Sequence, residues 1–127
     1  MLASEMYTRV KGLMSEKGSS KVFDEYYITA LNTILGETFN DNNICRMFYD
    51  KKPLTEIPQV YSLTDELTYE QEYLLNVIPY GIAAQLETDD DLTKNGIFAT
   101  KYSNAKVMAQ KVLSQDRVQE ILDREDD

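Results

Sequence analysis

Apolar residues recur at steps of three and four along most of this chain, the spacing that gathers side chains on one face of an α-helix. Met6, Val10, Leu13 and Met14 form such a stripe between Ser4 and Glu16 and predict a first helix. Gly18, Ser19 and Ser20 stop it and cap a second, because glycine accepts the left-handed helix end and serine accepts an exposed helix N–H. Phe23, Tyr27, Ala30, Leu31 and Ile34 line the apolar face of that second helix, with Gly36 as its predicted terminator. Asn40, Asp41, Asn42 and Asn43 then read as the cap of a short third helix carrying Ile44, Cys45, Met47 and Phe48. The same oxygen-rich run suggests a calcium loop, but it lacks the glycine and closing glutamate of an EF-hand, so capping is the favoured reading.

The periodicity fails between Asp50 and Leu67. Pro53 and Pro58 break helices and bias their predecessors to extended conformations, so this segment reads as an extended loop or hairpin. Structureless stretches of that length are unusual in a small domain and often carry function. Ile57, Pro58, Val60 and Tyr61 are therefore candidate partner contacts. Thr68 and Gln71 make a capping box for a long helical pattern reaching Thr88, with Leu74, Leu75, Ile78, Ile82 and Leu86 on its apolar face. Pro79 and Gly81 predict a kink in it, since proline removes a backbone donor near Leu75, while Ala83 and Ala84 permit close approach by another helix. Asp89, Asp90 and Asp91 cap the next helix; as a metal site they lack a second acidic cluster at ligand spacing. That helix spans Leu92 to Leu113, with Phe98, Tyr102, Ala105, Ala109 and Val112 on one face. Val118, Ile121 and Leu122 give the charged tail a narrow apolar stripe, suited to a docking arm or to a self-packed terminal helix.

The predicted fold is mainly α: a small helical bundle with two long antiparallel helices, shorter packing helices, and one extended loop or hairpin around residues 50–67. Residues 1–113 form a single helical domain and 114–127 a C-terminal arm or short helix. The 127 residues suit one hydrophobic core, and 43% hydrophobic with 28% charged residues is an ordinary globular composition. No run approaches a membrane span, and the first residues lack the order of a secretion signal, so a cytosolic origin is expected.

Charge adds a pattern. The net charge is −9, from 22 acidic and 13 basic residues, which disfavours a general DNA-binding surface. Between Pro53 and Thr93 there is no Lys or Arg, whereas Leu92 to Gln115 carries Lys94, Lys101, Lys106 and Lys111 and no acid. Such alternation suits faces that meet unlike faces on a neighbour, and also suits simple solvated helix surface. Chemistry is sparse. Histidine is absent and Cys45 is the sole cysteine, so a disulfide within the chain, a Cys/His zinc cluster and histidine-assisted nucleophilic catalysis are excluded. No phosphate loop, dinucleotide fingerprint or serine elbow occurs, and nine tyrosines offer amphipathic contact surface without a defined site. The sequence predicts neither an enzyme nor a cofactor.

The order of motifs points further. A helix containing Asp24-Glu25-Tyr26-Tyr27-Ile28-Thr29-Ala30-Leu31-Asn32 precedes a short helix ending at Tyr49, then Pro53-Leu54-Thr55-Glu56-Ile57-Pro58 and Leu63-Thr64-Asp65-Glu66-Leu67. Leu74 to Leu86, with Pro79-Tyr80-Gly81-Ile82-Ala83-Ala84 as its most distinctive part, is followed by Asp89-Asp90-Asp91 and a helix around Phe98 and Tyr102. Over about Phe23 to Lys111 this resembles the head-completion, or head-to-tail connector (adaptor), proteins of tailed bacteriophages. The resemblance implies a structural protein of the virion neck, made in the host cytoplasm. It would form a homo-oligomeric ring, typically dodecameric, between the portal protein and a downstream neck or tail protein. DNA would be enclosed but not bound sequence-specifically, and no membrane is involved. On that reading the proline segment reaches a neighbouring component, Val118, Ile121 and Leu122 dock on the portal, and Lys94, Lys101 and Lys106 face an adjacent subunit in preference to DNA. A small acidic regulatory or inhibitor protein that binds another protein is the alternative.

Overall fold

A computed structural model describes residues 1–15, 21–88 and 91–125, the side chains of 112, 114–121 and 123–125 excepted. Among these residues five helices follow one another: α1 (Ala3–Leu13), α2 (Lys21–Phe48), α3 (Gln71–Asn76), α4 (Ile78–Leu86) and α5 (Leu92–Glu125). The protein is a mainly helical bundle. Its core is built from the predicted stripes, with Met6, Val10, Tyr27, Leu31, Ile34, Ile78 and Ile82 all buried. Cross-contacts fix the directions. Tyr27 of α2 reaches Ala3 of α1 and Tyr7 of α1 reaches Asp24 of α2, while Gln110 of α5 reaches Tyr73 of α3 and Asn95 of α5 reaches Ala84 of α4. The α3–α4 half therefore runs antiparallel to α5, and α1 antiparallel to α2.

Several boundaries differ from the sequence reading. α2 is one helix of 28 residues that passes through both Gly36 and Asn40–Asn43. A mid-helix glycine costs about 1 kcal/mol, and the buried stripe that continues through Leu35, Thr38, Asn42 and Cys45 outweighs it. The helix ends instead in a Schellman turn: Asp50 adopts φ 59°, its N–H bonds to the Met47 carbonyl, and Lys51 N–H bonds to the Arg46 carbonyl. Asn40–Asn43 is thus no cap. The predicted caps Gly18, Ser19 and Ser20 lie outside the described residues, as do Asp89 and Asp90.

The long pattern of 68–88 is interrupted rather than merely bent. Val77, at φ −118° and ψ −59°, separates α3 from α4 and places Pro79 in the first turn of α4. Proline has no N–H to offer the Leu75 carbonyl, and Arg9 Nη2 of α1 donates to it at 3.2 Å. The predicted capping box is not formed, because α3 starts at Gln71 behind Glu70, which makes no side-chain cap. α5 runs unbroken for 34 residues, about 51 Å at ~1.5 Å per residue. The segment after Ser114, expected as a separate short helix, is the end of α5.

At Gly81 three helices pack closely. A Cβ there would lie 2.9 Å from Ile34 Cδ1 of α2 and 2.9 Å from Tyr102 Cε1 of α5. The small face Gly81-Ala83-Ala84 does let neighbouring helices approach. Among the described residues, no helix is long and apolar enough to cross a membrane.

Candidate interaction surface

The 50–67 segment is an ordered strap. It is held along α2 by two asparagines three helical turns apart on one side of that helix. Asn43 accepts from Leu54 N–H at 2.8 Å and donates to the Leu54 carbonyl at 3.0 Å. Asn32 does the same to Val60, at 2.8 and 2.9 Å. Each amide side chain thereby satisfies both polar groups of one strap residue, as a neighbouring strand would. Further on, Asp65 Oδ2 accepts from Tyr61 and Ser62 N–H at 2.8 and 3.1 Å, tightening a turn. The Leu63 and Asp65 carbonyls then accept the otherwise orphaned N–H groups of Ser4 and Ala3 at the start of α1. Leu2 and Glu66 form an isolated antiparallel bridge beside them.

At its other end the strap is tied by charge. Glu70, 9% exposed, meets Lys51 Nζ at 2.9 Å and Arg46 Nη1 at 3.4 Å, and Arg46 Nε donates to the Lys52 carbonyl at 2.8 Å. Asn42 Oδ1 accepts from Glu70 N–H at 2.8 Å. The strap is consequently extended yet fixed at five places. Its apolar side chains point two ways. Tyr61 is 84% exposed, Ile57 and Leu63 are also exposed, and Pro58 is half-buried. Val60 is 3% exposed and belongs to the core, so its place among the predicted contacts is corrected. Val60 turns inward because the Asn32 latch draws its backbone against α2.

The lysines of α5 are dispersed in role. Lys94 and Lys101 are exposed, with Lys101 Nζ about 6 Å from the Tyr80 and Phe98 rings. Lys106 is half-buried and lies 4.2 Å over the Tyr102 ring, a cation–π contact within the chain. Leu122 is exposed. The side chains of Val118 and Ile121 lie outside the described residues. Strap and lysines sit on different elements, one latched to α2 and α1, the other on the helix packed against α4.

A concavity of about 380 Å³ lies between α2, α3 and α5 and is lined by Cys45, Tyr49, Glu72, Tyr73, Met108 and Leu113 among others. Burial, then the nearby Glu72 and Glu70 carboxylates, push the Cys45 thiol up to about 11. The thiol is therefore protonated at neutral pH, and the cleft is an apolar surface without a thiolate nucleophile. No group of three Cys, Asp or Glu side chains among the described residues is placed to hold a metal ion.

Neither the asparagine latches nor the Glu70 ion pairs were foreseen. The signal was present as polar residues at helical spacing beside an apolar stripe, but the partners are backbone groups, which no residue pattern identifies. Comparison with family models, with curated proteins and with solved structures gives no match.

Proposed function

We propose that this chain is a structural subunit of a phage head-to-tail connector, an adaptor ring between the portal and the neck or tail around the DNA path. The observation that carries the reading is the strap, an extended segment held at five places that presents Ile57, Tyr61 and Leu63 to solvent. A flexible loop loses entropy on docking, whereas a pre-ordered one offers its apolar side chains at little further cost. The sequence resemblance supplies the partner, and the helical bundle is compatible with it. The acidic net charge suits a lumen through which DNA must slide without being held.

The test is the mass of the purified protein with a verified cognate portal complex, by light scattering coupled to size exclusion. Multiple copies should join the portal, and a variant carrying Ile57→Asp and Tyr61→Ala should lose tenfold or more in affinity while keeping its circular dichroism, since both side chains are exposed. Failure of the unmodified protein to bind either the portal or the neck complex removes the connector reading and leaves the acidic protein-binding regulator.

A further inference from the structure

α2 carries a second stripe, on the side away from the core. Val22, Tyr26, Ile44 and Met47 are 60%, 56%, 46% and 52% exposed. Between them, on the same face, lie Thr29, Thr33, Gly36 and Asn40, all exposed and all small or polar. The spacing is three and four throughout, so the stripe follows the whole helix. It holds no charge at any position, although 28% of the chain is charged. Its first half forms one wall of a groove of about 510 Å³, whose other wall is Gln85, Leu86 and Thr88 at the end of α4. Gly36 sits at its centre, where a Cβ would meet nothing within 4 Å. Packing inside the chain therefore gives no reason for a residue that weakens the helix.

α5 carries a matching surface. Ile97, Lys101, Asn104, Met108 and Lys111 follow the same spacing and are all exposed. Charge selects the pairing. α2 has Asp24, Glu25, Glu37 and Asp41 along its length, with Lys21 at its first residue and Arg46 near its end paired to Glu70, while α5 from Leu92 to Gln115 has four lysines and no acid. α2 against α2 would oppose like charges, as would α5 against α5.

We infer that the α2 stripe is the seat for the Ile97–Lys111 flank of α5 from a second copy of this chain. Ile97 and Met108 fill the small centre and the groove, and Lys101 and Lys111 reach the acids bordering the stripe. The two surfaces differ, so the contact is heterologous and can propagate around a closed ring. It rests on the connector reading for the ring, but it is argued from the two surfaces and is tested without a portal.

Light scattering on three proteins decides it, at concentrations up to about 1 mM, where even weak association is visible. The unmodified chain should exceed the 14.6 kDa of one copy. Gly36→Lys should remain a single copy with its Tm raised by about 3 °C, because lysine favours the helix and the site is empty within the chain. Lys101→Glu with Lys111→Glu should also remain single. Mixed one to one, these two variants retain one intact seat and one intact flank, and should form pairs and nothing larger. An unmodified chain that stays single throughout, a Gly36→Lys variant that associates normally, or a mixture that does not pair each overturns the contact. Self-association without portal binding would remove the connector reading alone, and portal binding by a chain that stays single would remove this contact alone.

Discussion

A methyl group added at Gly81 would stand 2.9 Å from Ile34 Cδ1 and 2.9 Å from Tyr102 Cε1, with Ile34 Cγ2 at 3.1 Å. Ile34 is buried and Tyr102 nearly so, and Tyr102 is further fixed by its hydroxyl donating to Glu37 at 2.9 Å. Neither can withdraw without moving a helix. Gly81→Ala should therefore destabilise the fold by about 1–3 kcal/mol, the usual cost of overpacking, despite alanine's better helix propensity. A urea titration measures it. A stabilised variant would mean that the three helices separate more readily than their packing implies. The sequence made the small residues around Pro79 visible, and the kink prediction located a real interruption. What it could not show is the Arg9 side chain on the Leu75 carbonyl, because that group comes from another helix.

At the scale of elements, the strap tests how an extended segment can be ordered without a sheet. Asn43→Ala removes both latch bonds at Leu54, and Asn32→Ala both at Val60. Water replaces part of what is lost at Leu54, which is half-buried, so about 1 kcal/mol is expected there. The cost at buried Val60 should be larger, about 2 kcal/mol, since stranded polar groups are costlier away from solvent. Hydrogen exchange reads this locally. Protection should fall at the Leu54 amide in the first variant and at the Val60 amide in the second, each by tenfold or more, with α4 unaffected. Equal loss across the chain would mean that the strap is part of the global folding unit. These latches also explain where the sequence reading of helices went astray. Asn40–Asn43 has the composition of a cap, and Gly36 that of a terminator, yet α2 continues because its buried stripe does. Local propensity is worth about 1 kcal/mol at most for a non-proline residue, and a buried face of this length outweighs it. The helical class, the stripes and the extended 50–67 segment were legible because they are periodic, or conspicuously not; the bonds holding that segment were not, since they join residues far apart in the chain.

For the molecule as a whole, the tyrosines turn from generic surface into clasps between elements. Tyr27 donates to the Ala3 carbonyl of α1 and stacks at 4.2 Å on Tyr7, and Tyr69 donates to the Leu35 carbonyl of α2. Tyr73 of α3 accepts from Gln110 of α5, and Tyr102 of α5 donates to Glu37 of α2. Burial raises the pKa of all four, Tyr73 to about 12 and Tyr27, Tyr69 and Tyr102 further, with Tyr7 adding to it at Tyr27 and Glu37 at Tyr102. Their folded values lie above the ordinary 10.0, so the folded chain holds protons that the unfolded chain releases. Stability from these groups is complete below pH 10.0 and is lost as pH rises above it, with Cys45 contributing in the same direction from its ordinary 9.0. Because the clasps join α1, α2, α3 and α5, they should fail together. An alkaline titration should give a flat stability through neutral pH, then one cooperative loss of helical circular dichroism above pH 10.0, with a block of tyrosinate absorbance appearing in the same step. Tyr27→Phe and Tyr102→Phe should each reduce that block and lessen the pH dependence. Gradual ionisation of all nine tyrosines with the helices intact would show instead that the hydroxyls reach solvent through local opening, and that the bundle holds without its clasps.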